Sequence, residues 1–395
     1  MNLHRIDCGF VPLVDCAPLV VARELGFAAE EGIDLHLHPQ PSWSAIRDKL
    51  LFGELQAAHM LSVLPVVMSM GLGAATDRID ALTVLSVNGD VIGVAPDLAD
   101  RMHQVGVDRN TDPATGVGRA LIAAASGPLR VGVPFPFSMH AELLYYWLSS
   151  LGLEAPRDLN VRTVPPSNMA EAIAAGEVDA FCVGEPWGSV AVDKGAAEIV
   201  LPGSAIWQFA PEKVLAVRHD WAEAERPMAL RLIRAMWRAA RWLGEAENRL
   251  TVSDLLAQPE YLGRPSELID RALSGRLVLA KNGRPTRLRN FVEFYDCAAT
   301  FPWRSQAHWI ASRWAARTGA DREEAVAVGR AAFRTDLYRA ALQDIGVDVP
   351  GASEKVEGAL SVRTEVASAK GEMFLGPDRF FDGKVFDPAE TGTRH

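Results

Sequence analysis

Short apolar runs alternate with amphipathic runs along the first part of the chain, and this alternation limits the possible folds more than any other feature. Runs of strand length recur there: HRIDCGFVP, IDLHLHP, LQAAHM and ALTVLSVNG. Between them lie two segments with helical spacing, APLVVARELGFAAEEG, which ends at Gly32, and PSWSAIRDKLLFGE, which Ser42 can N-cap. Strands that alternate with helices predict an α/β fold on a mostly parallel sheet.

A second alternating series begins near Leu129. It contains two predicted strands, LRVGVPFP and LNVRTVPP, with a helix behind Ser138 between them, and then a buried strand, VDAFCVGEP. Part of this series echoes the first. LLFGELQAAHM (50–60) and AIAAGEVDAFCV (172–183) each read as a helix end, a Gly-Glu pair and a buried strand. The matched order of elements predicts two similar α/β lobes.

The chain is predicted to cross between the lobes twice. The stretch 95–118 is polar and holds several Gly, Asp and Pro residues, which suits a crossing, and 212–221 reads as a returning strand. The sequence beyond that strand is mainly helical until a loop-rich tail. We predict that lobe 1 with a C-terminal helical extension comprises 1–95 and 212–395, and that lobe 2 comprises 96–211.

Composition excludes several classes of protein. The formal net charge of −10 is diffuse, whereas nucleic-acid binding needs a concentrated basic face. No apolar run reaches the roughly 18 residues that a membrane span needs. Four cysteines lie far apart, without the spacing of a disulfide framework or a metal site: Cys8, Cys16, Cys182 and Cys297. We predict that they pack as small hydrophobic residues, and we predict no metal and no cofactor.

The sequence contains no familiar catalytic motif, so we predict a binding protein rather than an enzyme. Candidate binding residues lie where loops meet helices or strands. Trp43 and His140 fall in the first turns of predicted helices, where free N–H groups favour anions. Gly184 follows a buried strand and leaves room for a ligand, and Lys213 lies at the returning strand. Singly, packing, surface polarity or a solvated Lys213–Glu212 pair would explain them. Together they predict a small-anion site between the lobes.

Several separate motifs resemble one known family. They occur in the family's order from about residue 6 to the end: GFVPLVDCAPLVVARELGFAAEEGIDL, SWSAIRDKLLFGELQAAHM, the NG of SVNGD, SMHAELLYYWL, GEVDAFCVGEPW, PEKVLAV, FPWRSQAHWI and DGKVFDP. The chain resembles the nitrate-binding protein family of ABC transporters, whose relatives include bicarbonate-binding proteins and cytoplasmic nitrate/nitrite sensors. The resemblance implies a two-lobed, type II periplasmic-binding-protein-like fold with additional C-terminal helices that pack mainly on lobe 1.

The resemblance also implies roles for the candidate residues. It implies that the Trp43 indole contacts a small oxyanion and that His140 and the backbone around Gly184 donate hydrogen bonds to it. Lys213 would supply charge and favour nitrate or nitrite over bicarbonate. Asp90 departs from the family pattern, because nitrate binders tend to carry an amide there. A carboxylate only accepts hydrogen bonds and repels an anion. Asp90 is therefore predicted to turn away, to orient a protonated His140, or to face a ligand with its own donor, such as bicarbonate.

The start of the sequence bears on which function the resemblance implies. The first predicted strand begins within a few residues of Met1, and the apolar run there is interrupted by Asp7, Pro12 and Asp15, unlike an export signal. We therefore expect a cytoplasmic nitrate/nitrite sensor that sequesters an ANTAR-type transcription antiterminator until ligand binds, regulating nitrate assimilation. The alternative is the substrate-binding component of an ABC-type nitrate or bicarbonate importer, which would work with a permease in the periplasm. Pyrimidine synthases of thiamine biosynthesis share the general fold, but their Cys-rich motif is missing here.

Overall fold

The computed structural model describes residues 3–71, 78–106 and 114–390. Its first elements build most of one lobe. They are β1 (His4–Phe10), α1 (Ala17–Glu24), α2 (Phe27–Glu30), β2 (Ile33–Pro39), α3 (Trp43–Leu51), β3 (Ala57–Leu61), α4 (Val63–Ser69) and β4 (Ile79–Asn88). Strands β2, β1 and β3 are parallel neighbours, as the alternating sequence predicts. All three strands therefore end at the same edge of the sheet.

The helix predicted over 17–32 is interrupted. Helix α1 ends at Glu24, and α2 starts after Gly26, whose φ of 79° lies in the left-handed region that favours glycine. Gly32, the predicted end, also has a positive φ of 76°. The apolar spacing continues through the break, so periodicity alone does not reveal it.

A second set of elements follows and forms another sheet. They are β5 (Asp90–Val94), α5 (Pro96–Gln104), α6 (Ala114–Ala124), β6 (Leu129–Val133), α7 (Met139–Ser150), β7 (Leu159–Thr163), α8 (Met169–Ala174), β8 (Ala180–Gly184), α9 (Trp187–Asp193) and β9 (Glu198–Pro202). The strand order is β7-β6-β8-β5-β9. Strands β7, β6 and β8 are parallel, and β5 runs antiparallel to both of its neighbours.

The remaining elements complete the first sheet and cover it with helices. They are β10 (Pro211–Arg218), α10 (His219–Ala224), α11 (Arg226–Gly244), α12 (Arg249–Ala257), α13 (Ser266–Ser274), β11 (Arg276–Val278), β12 (Pro285–Arg287), β13 (Val292–Glu293), α14 (Arg304–Thr318), α15 (Arg322–Ala331), α16 (Thr335–Gln343), β14 (Thr364–Val366) and β15 (Met373–Leu375). Helix α11 packs on α1, and α14 and α15 pack on α4. These helices lie mainly on lobe 1, as the resemblance implies.

The two main sheets share one topology. The first has the order β13-β4-β10-β3-β1-β2, and β10 is antiparallel to β3 and β4 just as β5 is antiparallel to β8 and β9. The echoed sequences hold equivalent places, since α3 leads into β3 and α8 leads into β8. In each sheet the antiparallel strand follows directly after a crossing from the other lobe.

The crossings lie elsewhere than the sequence predicts. The stretch 95–118 holds parts of α5 and α6, both in lobe 2, while 107–113 lies outside the described residues. Its polar residues face outward from α5, whose buried side is apolar. The chain instead changes sheets at Asn88–Gly89 and returns between β9 and β10. On this pairing we propose that lobe 2 comprises 90–202, so Asp90 begins lobe 2 rather than ending lobe 1.

The Asn88 side chain ties the two crossing segments together. Its Nδ2 donates to the carbonyl oxygens of Gln208 at 2.8 Å and Asn290 at 3.0 Å, and its Oδ1 accepts from the Ala210 amide at 3.1 Å. Asn88 has a positive φ of 58°, which asparagine tolerates better than most residues. The two crossing segments are therefore held together by hydrogen bonds between the Asn88 side chain and the backbone.

No helix among the described residues is long and apolar enough to cross a membrane.

Candidate functional site

Two capped helices point their first turns at the space between the lobes. Ser42 caps α3 by accepting from the Ala45 amide at 3.2 Å, which fixes Trp43 as the first helical residue. Ser138 caps α7 by accepting from the Ala141 amide at 3.2 Å, which places His140 in the first turn. The predicted N-caps are confirmed, and they orient one aromatic and one imidazole side chain toward the same place.

Gly184 and Lys213 meet these two side chains. Lys213 Nζ lies 5.4 Å from the centre of the Trp43 ring, within the range of a cation–π contact. A Cβ atom on Gly184 would lie 3.7 Å from His140 Nε2 and 2.8 Å from Leu13 Cδ2. Gly184 ends β8 in lobe 2, whereas Leu13 belongs to lobe 1. The glycine therefore lets the two lobes approach closely beside the imidazole.

Asp90 lies in the same cluster and does not turn away. A carboxylate oxygen of Asp90, a ring nitrogen of His140 and a carboxylate oxygen of Glu212 lie within 4.8 Å of one another. All three residues are buried. Asp90 Oδ2 accepts a hydrogen bond from the Cys182 thiol at 3.2 Å. A Cβ atom on Gly203 would collide with the Asp90 carboxyl group. Asp90 is thus fixed in the cleft by a thiol on one side and close backbone on the other.

Three more charged or titratable side chains, which the sequence does not single out as ligand contacts, complete the cluster: Asp15, His59 and Glu212. Lys213 Nζ lies 2.9 Å from Asp15 Oδ2 and 2.6 Å from Glu212 Oε1. His59 Nε2 lies 3.1 Å from Asp15 Oδ1. The explanation of Lys213 and Glu212 as a solvated pair is wrong, because both side chains are fully buried.

A β-bulge explains how adjacent residues both reach the cleft. Successive side chains on a regular strand point to opposite faces, so Glu212 and Lys213 should not meet at one site. The pairing of β10 with β4 shifts register on both sides of Lys213. Such bulges re-aim side chains and are common beside binding sites. The sequence carries no signal for the bulge, and the role of Glu212 could not be predicted from it.

The cluster contains many buried polar atoms without a hydrogen-bond partner. Among the described residues, eighteen buried side-chain nitrogen or oxygen atoms lack one, and eight of them belong here. These are Asp15 Oδ1, Trp43 Nε1, His59 Nδ1 and Nε2, Asp90 Oδ1, His140 Nδ1 and Nε2, and Glu212 Oε2. Three of them lie in contacts of 3.1 Å that lack hydrogen-bond geometry, His59 Nε2 with Asp15 Oδ1 and His140 Nδ1 with Glu212 Oε1. Buried polar groups in proteins are normally satisfied, so this concentration marks the cluster as the candidate site for a polar ligand.

The lobes touch around the cluster. The Trp187 indole donates to the Pro12 carbonyl at 2.8 Å, and the Val14 amide donates to the Glu185 carbonyl at 2.9 Å. On the other flank, Tyr146 of α7 donates to Asp382 of the C-terminal tail at 2.8 Å. With every charged member of the cluster buried, this is the closed arrangement of a two-lobed protein.

Lys213 and Asp15 are both charged. Burial alone would raise the pKa of Asp15, but the Lys213 ammonium and the neighbouring His59 imidazole hold that pKa below its usual value. Burial alone would lower the pKa of Lys213, and Asp15 and Glu212 more than offset this and raise it. The site therefore contains one firmly held ammonium group that is paired on one side and faces Trp43 on the other.

The two histidines of the cluster, His59 and His140, are neutral. Burial lowers the pKa of His59, and Asp15 only partly opposes this. Burial and the neighbouring charge of Lys213 lower the pKa of His140 well below its usual value. A protonated His140 oriented by Asp90, one of the three predicted explanations of Asp90, therefore does not fit the site.

A bound metal does not fit the acidic groups of the described residues. Asp90, His140 and Glu212 have suitable spacing, but the Lys213 ammonium already contacts Glu212 and repels a cation. A second group of this kind joins Asp80, His219 and Glu223, where Arg334 lies 2.5 Å from Asp80 and 2.7 Å from Glu223. In both places a basic side chain already pairs with the carboxylates.

A Trp43→Phe variant tests the indole as a ligand contact. The phenyl ring keeps most of the packing against His59, whose ring centre lies 5.6 Å away, but lacks the buried Nε1–H donor. We expect anion affinity to fall between about tenfold and about a hundredfold, since a hydrogen bond to a charged group contributes about 1.5–3 kcal/mol. Isothermal titration calorimetry measures this. The control is Trp207→Phe, which removes another buried indole donor from an aromatic cluster with Phe380. Equal affinities for the wild type and Trp43→Phe would mean that Trp43 only packs.

The protein has two sheets of one topology, and two crossing segments join them around a buried polar cluster. This arrangement defines a two-lobed ligand-binding protein with the periplasmic-binding-protein fold. The fold class predicted from the sequence is confirmed. The chain matches the NMT1-like family over residues 2–257 and belongs to that family.

The relatives agree with the predicted resemblance. The nitrate/nitrite binding protein NrtA of Synechocystis sp. PCC 6803 is 30% identical over 394 residues, which cover 96% of this chain and 81% of the relative. The crystal structure of the periplasmic nitrate-binding protein NrtA from the same organism superimposes with a TM-score of 0.83 at 26% identity, covering 98% of this chain and 96% of that one. This relative is named as a binding protein in both comparisons.

A longer relative matches as well. The nitrate import ATP-binding protein NrtC of Synechocystis sp. PCC 6803 is 32% identical over 314 residues, or 79% of this chain. The chain spans about half the length of the ATP-binding proteins that it matches in this way, 46% and 50% of two of them.

Proposed function

We propose that this protein binds a small monovalent oxyanion, nitrate or nitrite, in the closed cleft between its lobes. The observation that carries the proposal is the convergence of the unsatisfied Trp43 indole and His140 imidazole on the buried Lys213 ammonium. An oxyanion accepts hydrogen bonds and carries the charge that Lys213 complements. The NrtA relatives are named for nitrate and nitrite binding, which supports the same ligands here.

The charges of the cluster favour a monoanion over a dianion. Lys213 supplies one positive charge, and it already shares that charge with Asp15 at 2.9 Å. A dianion such as sulfate would add two negative charges to a buried site with no further cation among the described residues around it. Sulfate is therefore the natural negative control for binding.

We further propose that the protein is the substrate-binding component of an ABC-type importer. The relatives support this role more than the cytoplasmic sensor predicted from the sequence, because they carry the names of a periplasmic nitrate-binding protein and of nitrate import ATP-binding proteins. On this proposal the protein works outside the cytoplasmic membrane and delivers the anion to a permease. The sensor remains a separate hypothesis with a different partner, an ANTAR-domain antiterminator.

Calorimetric titration with nitrate, nitrite, bicarbonate and sulfate tests the ligand. We expect one molecule of nitrate or nitrite to bind per chain, bicarbonate to bind more weakly, and sulfate not to bind. Preferential binding of bicarbonate would overturn the choice of nitrogen oxyanions, and saturation by sulfate would overturn the argument from charge.

Partner capture separates the two roles. The tagged protein, with and without saturating nitrate, is incubated with the permease of a nitrate importer in lipid nanodiscs and with an ANTAR-domain antiterminator. The importer role predicts that nitrate promotes capture of the permease. Release of a bound antiterminator by nitrate would support the sensor instead.

An Asp90→Asn variant tests the residue that departs from the family pattern. The amide can still accept from the Cys182 thiol, and its NH2 group replaces the unsatisfied Oδ1 with a donor. We expect nitrate affinity at neutral pH to be kept or increased, as measured by calorimetry. A clear loss of affinity would show that the Asp90 carboxylate itself contributes to binding.

A further inference from the structure

The cleft contains more carboxyl groups than its single ammonium can neutralise. Asp15, Asp90 and Glu212 are all buried, and Lys213 is the cation among them. With every carboxyl group ionised, the four side chains would carry a net charge of −2, and a bound monoanion would make it −3. Unpaired buried charges are costly, and groups in this situation take up protons instead.

The Asp90 and Glu212 carboxyl groups are faced by groups from every element around them. They are Asp15 beside β1, His59 of β3, Asp90 of β5, His140 of α7, Cys182 of β8, the backbone of Gly203 after β9, and Glu212 with Lys213 of β10. Lys213 contacts Asp15 and Glu212 directly but not Asp90. Asp90 Oδ1 and Glu212 Oε2 have no hydrogen-bond partner within the described part of the chain.

The imidazole between them indicates where a proton is needed. A neutral imidazole has one N–H group and one nitrogen that only accepts. His140 Nε2 faces Gly184 at the lobe junction, and Nδ1 lies 3.1 Å from Glu212 Oε1. When Nε2–H donates to an oxyanion, Nδ1 is the acceptor nitrogen, and a neighbouring donor would satisfy it. Glu212 is a donor only when its carboxyl group is protonated.

We propose that the cleft binds an oxyanion together with a proton, which the Asp90–Glu212 carboxyl pair takes up as the lobes close. The inference rests on the proposed function and defines its ligand further, as a monoanion plus one proton equivalent. The proton comes from solvent, converts a carboxylate to a carboxylic acid, and leaves when the lobes open. A ligand that carries its own proton, such as bicarbonate, would bind with less uptake.

The expected titration behaviour agrees with the geometry. Burial raises the pKa of Glu212 to about 8, although Lys213 opposes this, and burial also raises the pKa of Asp90 against the opposing effects of Cys182 and Lys213. In an open cleft these groups would titrate near the ordinary values of about 4. The closed state therefore holds more protons than the open state. Affinity is then greatest at low pH and decreases as pH rises through about 8.

Calorimetry of the wild-type protein with nitrate tests the proposal directly. Titrations at about pH 7 in buffers of different ionisation enthalpy give the number of protons exchanged, which we expect to be close to one taken up. Across the range from about pH 5.5 to about pH 7.5, Kd should rise by up to about tenfold per pH unit. Binding without proton exchange would overturn this inference and leave the proposed function intact. No binding of any tested anion at any pH would overturn the proposed function.

Variants locate the proton. Glu212→Gln provides a permanent donor to His140 Nδ1, so it should bind nitrate with a flatter pH profile, and the double variant with Asp90→Asn should exchange almost no proton. The control is Glu185→Gln, since Glu185 is also fully buried but its carboxylate accepts from the Ser189 amide of its own lobe rather than facing the cluster. Loss of proton uptake in Glu185→Gln, with normal uptake in the double variant, would overturn the assignment to Asp90 and Glu212.

Discussion

Replacement of Lys213 by methionine is expected to raise the Kd for nitrate at least a hundredfold. Methionine has a similar length but no charge, so the anion loses its only counter-ion in the cluster while Asp15 and Glu212 keep their positions. Removing one partner from a buried charged group costs about 3–5 kcal/mol, which corresponds to a factor of about a hundred or more. Calorimetric titration of the purified variant measures the loss.

The control for this variant is Lys194→Met. Lys194 also pairs with a carboxylate, Glu171, at 2.5 Å, but on the exposed surface of lobe 2. Surface pairs of this kind contribute little, so affinity and melting temperature should both stay near those of the wild type. Nitrate binding by Lys213→Met within a few-fold of the wild type would contradict the central role of Lys213.

Replacement of Gly184 by valine is expected to raise Kd between about tenfold and about a hundredfold through a steric effect. The new Cβ would lie 2.8 Å from Leu13 Cδ2 in the opposite lobe and beside His140 Nε2. Overpacking of this kind costs about 1–3 kcal/mol. Because Leu13 and Gly184 belong to opposite lobes, we expect lobe closure to be impaired and the stability of each lobe to change little.

Small-angle scattering separates this effect from misfolding. The ligand-free variant should give the wild-type scattering profile, and addition of nitrate should compact the wild type but not the variant. Gly127→Ala is the matched control, since a Cβ at Gly127 meets no atom within 4 Å. If Gly184→Val became as compact as the wild type at the nitrate concentration that saturates the wild type, the expected steric effect of the new side chain would be contradicted.

Local sequence signals were sufficient for the residues at helix starts. Ser42 and Ser138 are strong N-cap residues before apolar periodic segments, so the positions of Trp43 and His140 could be derived from the sequence. The repeated helix-and-strand segments likewise indicated two lobes, because equivalent elements carry equivalent patterns. Gly184 and Lys213 were predicted from their places after a buried strand and at the returning strand, and the family resemblance then implied their roles. The structure places all of these residues in one cluster with Asp90.

Other features depend on contacts that no local pattern encodes. Asp15 and His59 meet Lys213 only because β1, β3 and β10 end beside one another, and Glu212 joins them through a bulge. The lobe boundary that we propose differs from the predicted one for a related reason. The sequence of β5 has the apolar character of a strand, like that of β4, but β5 hydrogen-bonds in the other sheet. The Asn88–Gly89 pair between them is typical of a β-hairpin turn, so the sequence does not reveal the change of sheet.

The most direct test of the account is a crystal structure of the protein grown with nitrate. We predict one nitrate ion in the closed cleft, within hydrogen-bond distance of Trp43 Nε1, His140 Nε2 and Lys213 Nζ, with Gly184 against it. Nitrate bound elsewhere, or a closed cleft that excludes nitrate at saturating concentration, would contradict the assignment of this cluster as the oxyanion site.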